Sequence, residues 1–367
     1  MPVSADLAAN LAKDTLRVYT DAEELLLQRV AARLAAGIDE PGWAERKLID
    51  IQRLRADVAE VLARLDREGP TAVEAAVRTA YNRGVATAGA DLAAATSLAP
   101  QAAFGAVNTA AVDALVASAQ AAVAGTHLRI TRTALDVYQQ VTTETAAQVL
   151  TGTQTRREAA QRALGRYART GVTGFVDTAG RAWDMASYVE MATRTASGQA
   201  AVQGHVNRLA EMGQDLVIVS DAPQECVICR PWEGKVLSVT GATTGRVRGE
   251  NLRGSGTVTV QVAGTLREAT AAGLFHPGCR HSTALYIPGV TKPLTRTADP
   301  VGDAARQRQR ELERRVRRAK REQAAALGEP ARRAAGAKVR AQQGALAEHI
   351  EANDLKALPY RTSLGAR

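Results

Sequence analysis

Apolar residues recur every three to four positions through most of the first 213 residues, the period of one helix face. In the stretch 101–124 the stripe is Phe104, Val107, Ala111, Leu115, Ala119 and Ala122. The pattern predicts helices over 24–36, 43–67, 71–97, 101–124, 127–150, 155–170 and 184–212. Thr20-Asp-Ala-Glu23 reads as a capping box opening the first of these, and Gly37 closes it. Gly69-Pro70 is expected to end the second, because proline lacks the helical N–H and its ring crowds the preceding turn.

After Gly213 the period changes. Short β-branched runs at 216–220 and 235–239, and the alternating run 257–262 behind the Gly254-Ser-Gly256 turn, predict strands. Thr265 caps a short helix over 265–272, and 282–287 is a candidate last strand. A Pro/Thr-rich stretch follows. Helix resumes over 303–327 with a narrow apolar stripe of Leu312, Val316 and Ala319 and two favourable four-residue pairs, Glu311 with Arg315 and Glu313 with Arg317. A last helix is predicted over 331–352.

The expected fold is α+β and predominantly α-helical. It comprises a helical N-terminal region (1–150), a helical docking segment (151–213), a small α+β module that holds all three cysteines (214–290), a linker (291–302) and a basic helical tail (303–367). In the docking segment Trp183 is expected to pack back onto its helix, with Tyr188, Met191 and Thr195 on one face. Asp177, Arg181 and Arg194 read as a buried ion-pair set.

Composition sharpens this picture. Hydrophobic residues make up 46% of the chain but aromatics only 4%, which favours closely packed alanine-rich helices. The formal net charge is +9, and residues 306–340 alone hold 13 Lys and Arg against 4 Glu. Nine of these, Arg306, Arg308, Arg310, Arg314, Arg315, Arg317, Arg318, Lys320 and Arg321, lie on one predicted helix. Such a helix either contacts nucleic-acid phosphates or an acidic protein surface, or is simply solvated. No aromatic residues interleave with the charges, so recognition of single strands by stacking is not expected. The first nine residues contain Asp6 and no apolar stretch, so no secretory leader is expected. The most apolar window, 100–125, carries Asn108, Asp113 and Gln120, which disfavours a membrane span. Synthesis in a reducing cytoplasm is the expectation, and it weighs against a structural disulfide.

The chain has three cysteines, and all fall in one window with two of its five histidines. Cys226-Val-Ile-Cys229 offers two thiolates from one turn, and His276-Pro-Gly-Cys279-Arg-His281 offers one more with two imidazoles. Sulfur with nitrogen in a four-coordinate set is what zinc prefers. Five residues compete for four positions. His276 stands three residues from Cys279, the spacing at which one turn chelates; His281 stands two away, which suits a strand. Four protein ligands would make the zinc structural, and three would leave a place for a reactive water. The alternatives to a metal are a Cys226–Cys229 disulfide and ordinary buried thiols.

Catalytic patterns do not complete themselves. A nucleobase deaminase needs His-x-Glu ahead of Pro-Cys-x-x-Cys. Here the His-x-Glu of His349 and Glu351 comes after the cysteines, and Pro223 is not next to Cys226. No His-Glu-x-x-His occurs. The chain is therefore not expected to be an enzyme; the alternative reading is a zinc-dependent, HNH-like nuclease acting on DNA.

Several motifs follow one another in a telling order: Asp-Thr-Ala-Gly-Arg-Ala-Trp, Tyr-Val-Glu-Met-Ala-Thr-Arg-Thr, Asp-Leu-Val-Ile-Val-Ser, Cys-x-x-Cys, Pro-Trp-Glu-Gly-Lys-Val-Leu-Ser and Gly-Leu-Phe-His-Pro-Gly-Cys-Arg-His. In this succession the chain resembles the phage minor capsid proteins and, more distantly, the head-morphogenesis group that includes the F protein of phage Mu. The resemblance spans about 153–288. Relatives often end the last motif in Cys-Arg-Cys, whereas this chain has His281. The resemblance implies a low-copy virion protein inside the head near the portal. It would be made in the host cytoplasm and act in head morphogenesis or in DNA packaging or delivery. Its implied partners are portal and capsid proteins, with packaged double-stranded DNA as a further candidate.

Overall fold

The computed structural model describes residues 5–96, 109–152, 154–170, 175–176, 182–222, 227–292 and 297–365. The helices in its first half are α1 (Ala5–Ala35), α2 (Trp43–Ile49), α3 (Ile51–Thr96), α4 (Thr109–Ala124), α5 (His127–Leu150) and α6 (Arg156–Thr170). The two-residue strands β1 (Phe175–Val176) and β2 (Ala182–Trp183) lead into α7 (Met185–Glu211). Then come β3 (Leu216–Val219), β4 (Val236–Ser238), β5 (Gly245–Glu250), β6 (Thr257–Thr265), α8 (Leu266–Ala271) and β7 (Thr283–Leu285), and finally α9 (Pro300–Ala324) and α10 (Glu329–Ala352). The fold is thus predominantly α-helical α+β. The five-stranded sheet has the order β5-β6-β4-β3-β7, with β4 and β6 parallel and the other pairs antiparallel.

Two compact units share the chain. The first comprises Met1–Lys13, Ala72–Gln120 and Glu190–Asp303; the second comprises Asp14–Thr71, Ala121–Val189 and Ala304–Arg367.

In the first unit, α3 and α7 meet backbone to backbone. A Cβ built on Gly84 would lie 2.0 Å from the Ala201 carbonyl oxygen, and one on Gly204 would lie 2.2 Å from the Tyr81 carbonyl oxygen. Only glycine permits this approach. The helix pair and one face of the sheet share a core of Ala88, Val202, Val206, Leu209, Val217, Val219, Leu237, Leu285 and Ile287. The opposite sheet face carries Val236, Val260 and Val262, with Val247 and Tyr286 against them. His205, fully buried, donates from Nε2 to Asp91 (3.1 Å) and accepts at Nδ1 from the Thr283 hydroxyl (3.2 Å), tying α7 to α3 and β7.

The second unit buries charge in its interior. Arg321 of α9 is among the largest fully buried side chains. It pairs with Glu23 of α1 (2.9 Å) and with Asp184 just before α7 (2.9 Å). Arg317 donates to the Ser187 hydroxyl. Burial alone would raise the Asp184 carboxyl, but Arg321 and then Arg317 outweigh it and hold it well below the usual carboxylate range. Nearby, Asp66 accepts from Nδ1 of His127 (2.7 Å), and His127 Nε2 accepts from the Tyr19 hydroxyl (2.7 Å).

Four expectations need correction. The 20–23 segment opens no helix: α1 is already continuous from Ala5, the Thr20 hydroxyl donates back to the Arg17 carbonyl, and Glu23 is the buried partner of Arg321. Pro70 does not end a helix but lies inside α3. The Tyr19 ring seats against Gly69, where a Cβ would fall 2.4 Å from its hydroxyl oxygen, so packing on this turn offsets the lost N–H. In α4 the buried face is Val112, Val116, Ala119 and Val123; of the expected stripe Ala119 is buried, Ala111 and Leu115 are half-buried, Ala122 is exposed, and Phe104 and Val107 lie outside the described residues. Strand β5 has no counterpart among the expected strands, because Gly245-Arg-Val-Arg-Gly-Glu250 holds one apolar residue and two glycines. By contrast α8 carries the expected capping box between Thr265 and Glu268, and Leu312, Val316 and Ala319 are buried as the stripe required.

Candidate metal centre

Two turns bring the sulfur and nitrogen donors together. The first, over 227–229, ends at Cys229, whose carbonyl accepts from the Trp232 N–H (2.9 Å) and starts a short 3-10 turn, Arg230–Trp232. Cys229 is buried within the core of the first unit. The second turn follows α8. It is shaped by left-handed backbone at Gly273 (φ 104°), Phe275 (φ 63°) and Gly278 (φ 86°), and it closes with the Cys279 N–H on the His276 carbonyl (2.9 Å). Phe275 is the telling position. A bulky residue disfavours positive φ, and such strain gathers at sites where the surrounding fold holds a turn in place. Here the Phe275 side chain is anchored in the core and its carbonyl accepts from Gln199 on α7 (3.4 Å).

The outcome is a compact donor set. One ligand atom each from Cys229, His276 and Cys279 lies within 4.8 Å of the others. The two sulfurs are 3.5 Å apart. Thiolates on a tetrahedral zinc stand about 3.8 Å apart, given Zn–S bonds of about 2.3 Å, so the spacing fits an ion with little movement. His276 gives its Nδ1–H to the Pro277 carbonyl (2.9 Å), which leaves Nε2 as its donor atom. This Cys-His-Cys group could hold a metal ion.

His281 sits beside the group rather than within it. Its Nδ1 is 3.4 Å from the Cys279 sulfur, and its backbone N–H donates to the same sulfur (3.4 Å). Its Nε2–H donates to Glu233 Oε1 (2.7 Å), which also accepts from the Ala222 N–H (3.1 Å). Both His281 and Glu233 are buried. Glu233 carries no signal in the sequence reading, although it stands four residues after Cys229 inside the Pro-Trp-Glu-Gly motif. A buried carboxylate holding an imidazole against a ligating group is a recurrent partner of metal sites. Burial pushes the His281 pKa down, but its bonds to Cys279 and Glu233 outweigh burial and raise it. The Cys279 thiol is pushed down to about 4: the Cys229 sulfur contributes most, and the ring and backbone N–H of His281 help to overcome burial. Both shifts favour the charged forms of the pair. Cys226 lies outside the described residues.

The other candidate residues are distributed differently. Of the nine basic residues on α9, Arg317 and Arg321 are buried in the second unit and face Asp184 and Glu23. Arg308 and Arg315 both pair with Glu311. Arg318 is exposed, and Arg306, Arg310, Arg314 and Lys320 are half-buried. In the docking segment the Trp183 and Tyr188 rings meet edge to face at 5.9 Å. Arg194 lies 4.0 Å from Glu190, while Asp177 and Arg181 fall outside the described residues. No described helix is long and apolar enough to cross a membrane.

Comparison with known proteins extends well beyond the short motifs. The family model described as "Phage minor capsid protein 2" matches residues 6–351, taking in both the N-terminal helices and the basic ones. A "Structural protein" of Lactococcus phage LL-H is 26% identical over 159 residues, 43% of this chain and 40% of that protein. The chain therefore spans less than half the length of this relative. No solved structure gives a significant match. The strained His276–Cys279 turn, the buried Cys229 and the helices around them all fall inside the matched span, and the chain belongs to the Phage minor capsid protein 2 family.

Proposed function

We propose that this chain is a low-copy structural protein of a phage head, stationed near the portal, where it serves head morphogenesis or the packaging and delivery of DNA. The observation that carries the reading is the family match over residues 6–351, which takes in nearly all of both units. The "Structural protein" name of the Lactococcus phage relative supports the same role.

Within that role the metal group is a staple. The zinc set is Cys226, Cys229, Cys279 and His276, and His281 acts as a positioning residue that Glu233 holds against the Cys279 sulfur. Four protein donors leave no coordination place for a substrate or water, so the ion supplies folding energy rather than chemistry. It joins the turn after β3 to the turn after α8, two segments about fifty residues apart in sequence. Zinc binding of this kind is worth on the order of 10 kcal/mol at neutral pH. The portion of α9 that faces solvent, around Arg308 and Arg318, is a contact for packaged DNA or for an acidic portal surface.

Quantitative mass spectrometry of purified virions tests the role. The expected result is a few copies per portal ring, retained after removal of loosely bound protein. Absence from virions, or a copy number near that of the coat protein, would refute it. Incubation with plasmid and divalent metals separates the nuclease reading: cleavage that disappears in a folded His281→Ala variant would replace a structural role with an enzymatic one.

A further inference from the structure

Basic residues in this protein are used in two contrasting ways. On α9 the arginines are largely consumed inside the molecule, by Glu311 at the surface and by Glu23 and Asp184 in the interior. The β5-β6 hairpin of the first unit behaves otherwise. Arg246 and Arg248 project from the edge strand β5, and Arg253 sits in the connecting loop; all three are exposed. Among the described residues, no carboxylate lies within ion-pair distance of any of them.

The register explains why Arg246 and Arg248 share one surface. Arg246 is opposite Gln261, Arg248 opposite Thr259 and Glu250 opposite Thr257, and all six are exposed. Their neighbours Val247 and Val260 point the other way, into the apolar cluster with Val236 and Val262. These two strands of the sheet thus carry an apolar row on one face and a row of hydrogen-bond donors and positive charge on the other. Glu250, at the end of the row, is the single acid between 245 and 265.

We infer that this ribbon is a binding surface for double-stranded nucleic acid, with Arg246, Arg248 and Arg253 on the phosphates. A two-stranded ribbon fits the major groove, which is about 12 Å wide. Arg246 and Arg248 are two residues apart on a strand, about 7 Å, which is roughly the spacing of neighbouring phosphates along one strand of a duplex. Guanidinium groups suit phosphate because they offer paired donors and keep their charge. Thr259 and Gln261 add neutral donors, and nothing in the row encodes a base sequence, so binding is expected to be independent of sequence. The inference rests on the hairpin alone and stands or falls separately from the portal assignment.

The test is fluorescence anisotropy of the full chain with a labelled 20-base-pair duplex over a range of salt. With three phosphate contacts the ribbon contributes about −2.7 to the slope of log K against log salt, at about 0.9 per contact. The triple variant Arg246→Ala/Arg248→Ala/Arg253→Ala should lose that part of the slope and bind at least tenfold more weakly at low salt. The matching triple Lys variant should keep most of both, and Glu250→Gln should tighten binding. Bound metal should be unchanged in all of them, since every substituted side chain is exposed. A slope unaltered in the triple Ala variant, or altered only by Arg308→Ala/Arg318→Ala on α9, would overturn the inference. So would a wild-type chain that does not bind duplex at low salt; loss of the triple Ala variant from assembled heads would then assign the ribbon to an acidic protein partner.

Discussion

Substituting alanine at Gly84 or Gly204 tests the closest contact in the first unit. In either case the new Cβ would sit against a backbone carbonyl oxygen, 2.0 Å from Ala201 or 2.2 Å from Tyr81. Ordinary contact begins at 3.4 Å, so the helices must part by more than an ångström. Backbone cannot swing aside as a flexible side chain can. Overpacking of this kind costs about 1–3 kcal/mol. A gap of 0.5–1 Å already forfeits a quarter to a half of the dispersion well, and Ala88, Val202 and Val206 flank the crossing. Alanine returns about 1 kcal/mol of helix propensity. With overpacking in the upper part of its range, about 2–3 kcal/mol, and roughly 1 kcal/mol of lost dispersion offsetting the propensity gain, the net expectation is a loss of about 2–3 kcal/mol for either variant. Because both glycines serve one crossing, the second substitution should add little once the first has forced the helices apart. Gly89→Ala is the control: it lies on the same helix α3, its new Cβ would meet nothing within 4 Å, and it should stabilise by about 0.5–1 kcal/mol. Hydrogen exchange read on peptides covering 78–92 and 198–209 is the suitable assay, because it reports local opening in a chain of two units. A loss of 2–3 kcal/mol corresponds to exchange about 30- to 150-fold faster. Protection unchanged in Gly204→Ala, or strict additivity in the double variant, would refute the backbone contact.

Other consequences are equally direct. His276→Ala should abolish stoichiometric zinc binding, whereas His281→Ala or Glu233→Gln should weaken it only about 10- to 100-fold, as loss of an outer-shell partner does; competition with a chromogenic chelator distinguishes them, and equal effects would remove the distinction between ligand and support. Cys279→Ser should loosen the sheet and its turns, seen as accelerated exchange over 227–290 and loss of bound metal in elemental analysis. Arg321→Met leaves Glu23 buried without its partner and Asp184 with Arg317 alone, and should cost about 3–5 kcal/mol in denaturant titration; a loss below 1 kcal/mol would show that the network is not closed. The depressed Asp184 carboxyl contributes stability that is complete above its unfolded pKa of about 4 and is lost as pH falls below it, so acid should unfold the wild type more steeply than Asp184→Asn. Pro70→Ala should restore a helical N–H inside α3 and stabilise by about 1–3 kcal/mol, unless the helix ends there in solution, in which case thermal unfolding will not shift.

What the chain order alone determined was local. Periodicity of 3.6 and 2 residues located most of the helices and four of the five strands of the sheet, because amphipathic faces are written in consecutive residues. The capping box at Thr265 was legible for the same reason. The cysteine spacings pointed to Cys229, His276 and Cys279, which the fold brings within 4.8 Å of one another. Long-range contacts decided the rest. Pro70 reads as a terminator until the packing of Tyr19 on Gly69 is known. Glu23 reads as a cap and Arg321 as a surface charge until α1 and α9 bring them within 2.9 Å. β5 has no strand signal of its own and exists because β6 supplies its hydrogen-bond partners. Glu233 is an ordinary acid in sequence, and only the fold sets it beside His281. Sequence pattern records which face of an element is apolar. It does not record which distant element will cover that face, and on that pairing the burial of Arg321 and the exposure of Arg246 and Arg248 depend.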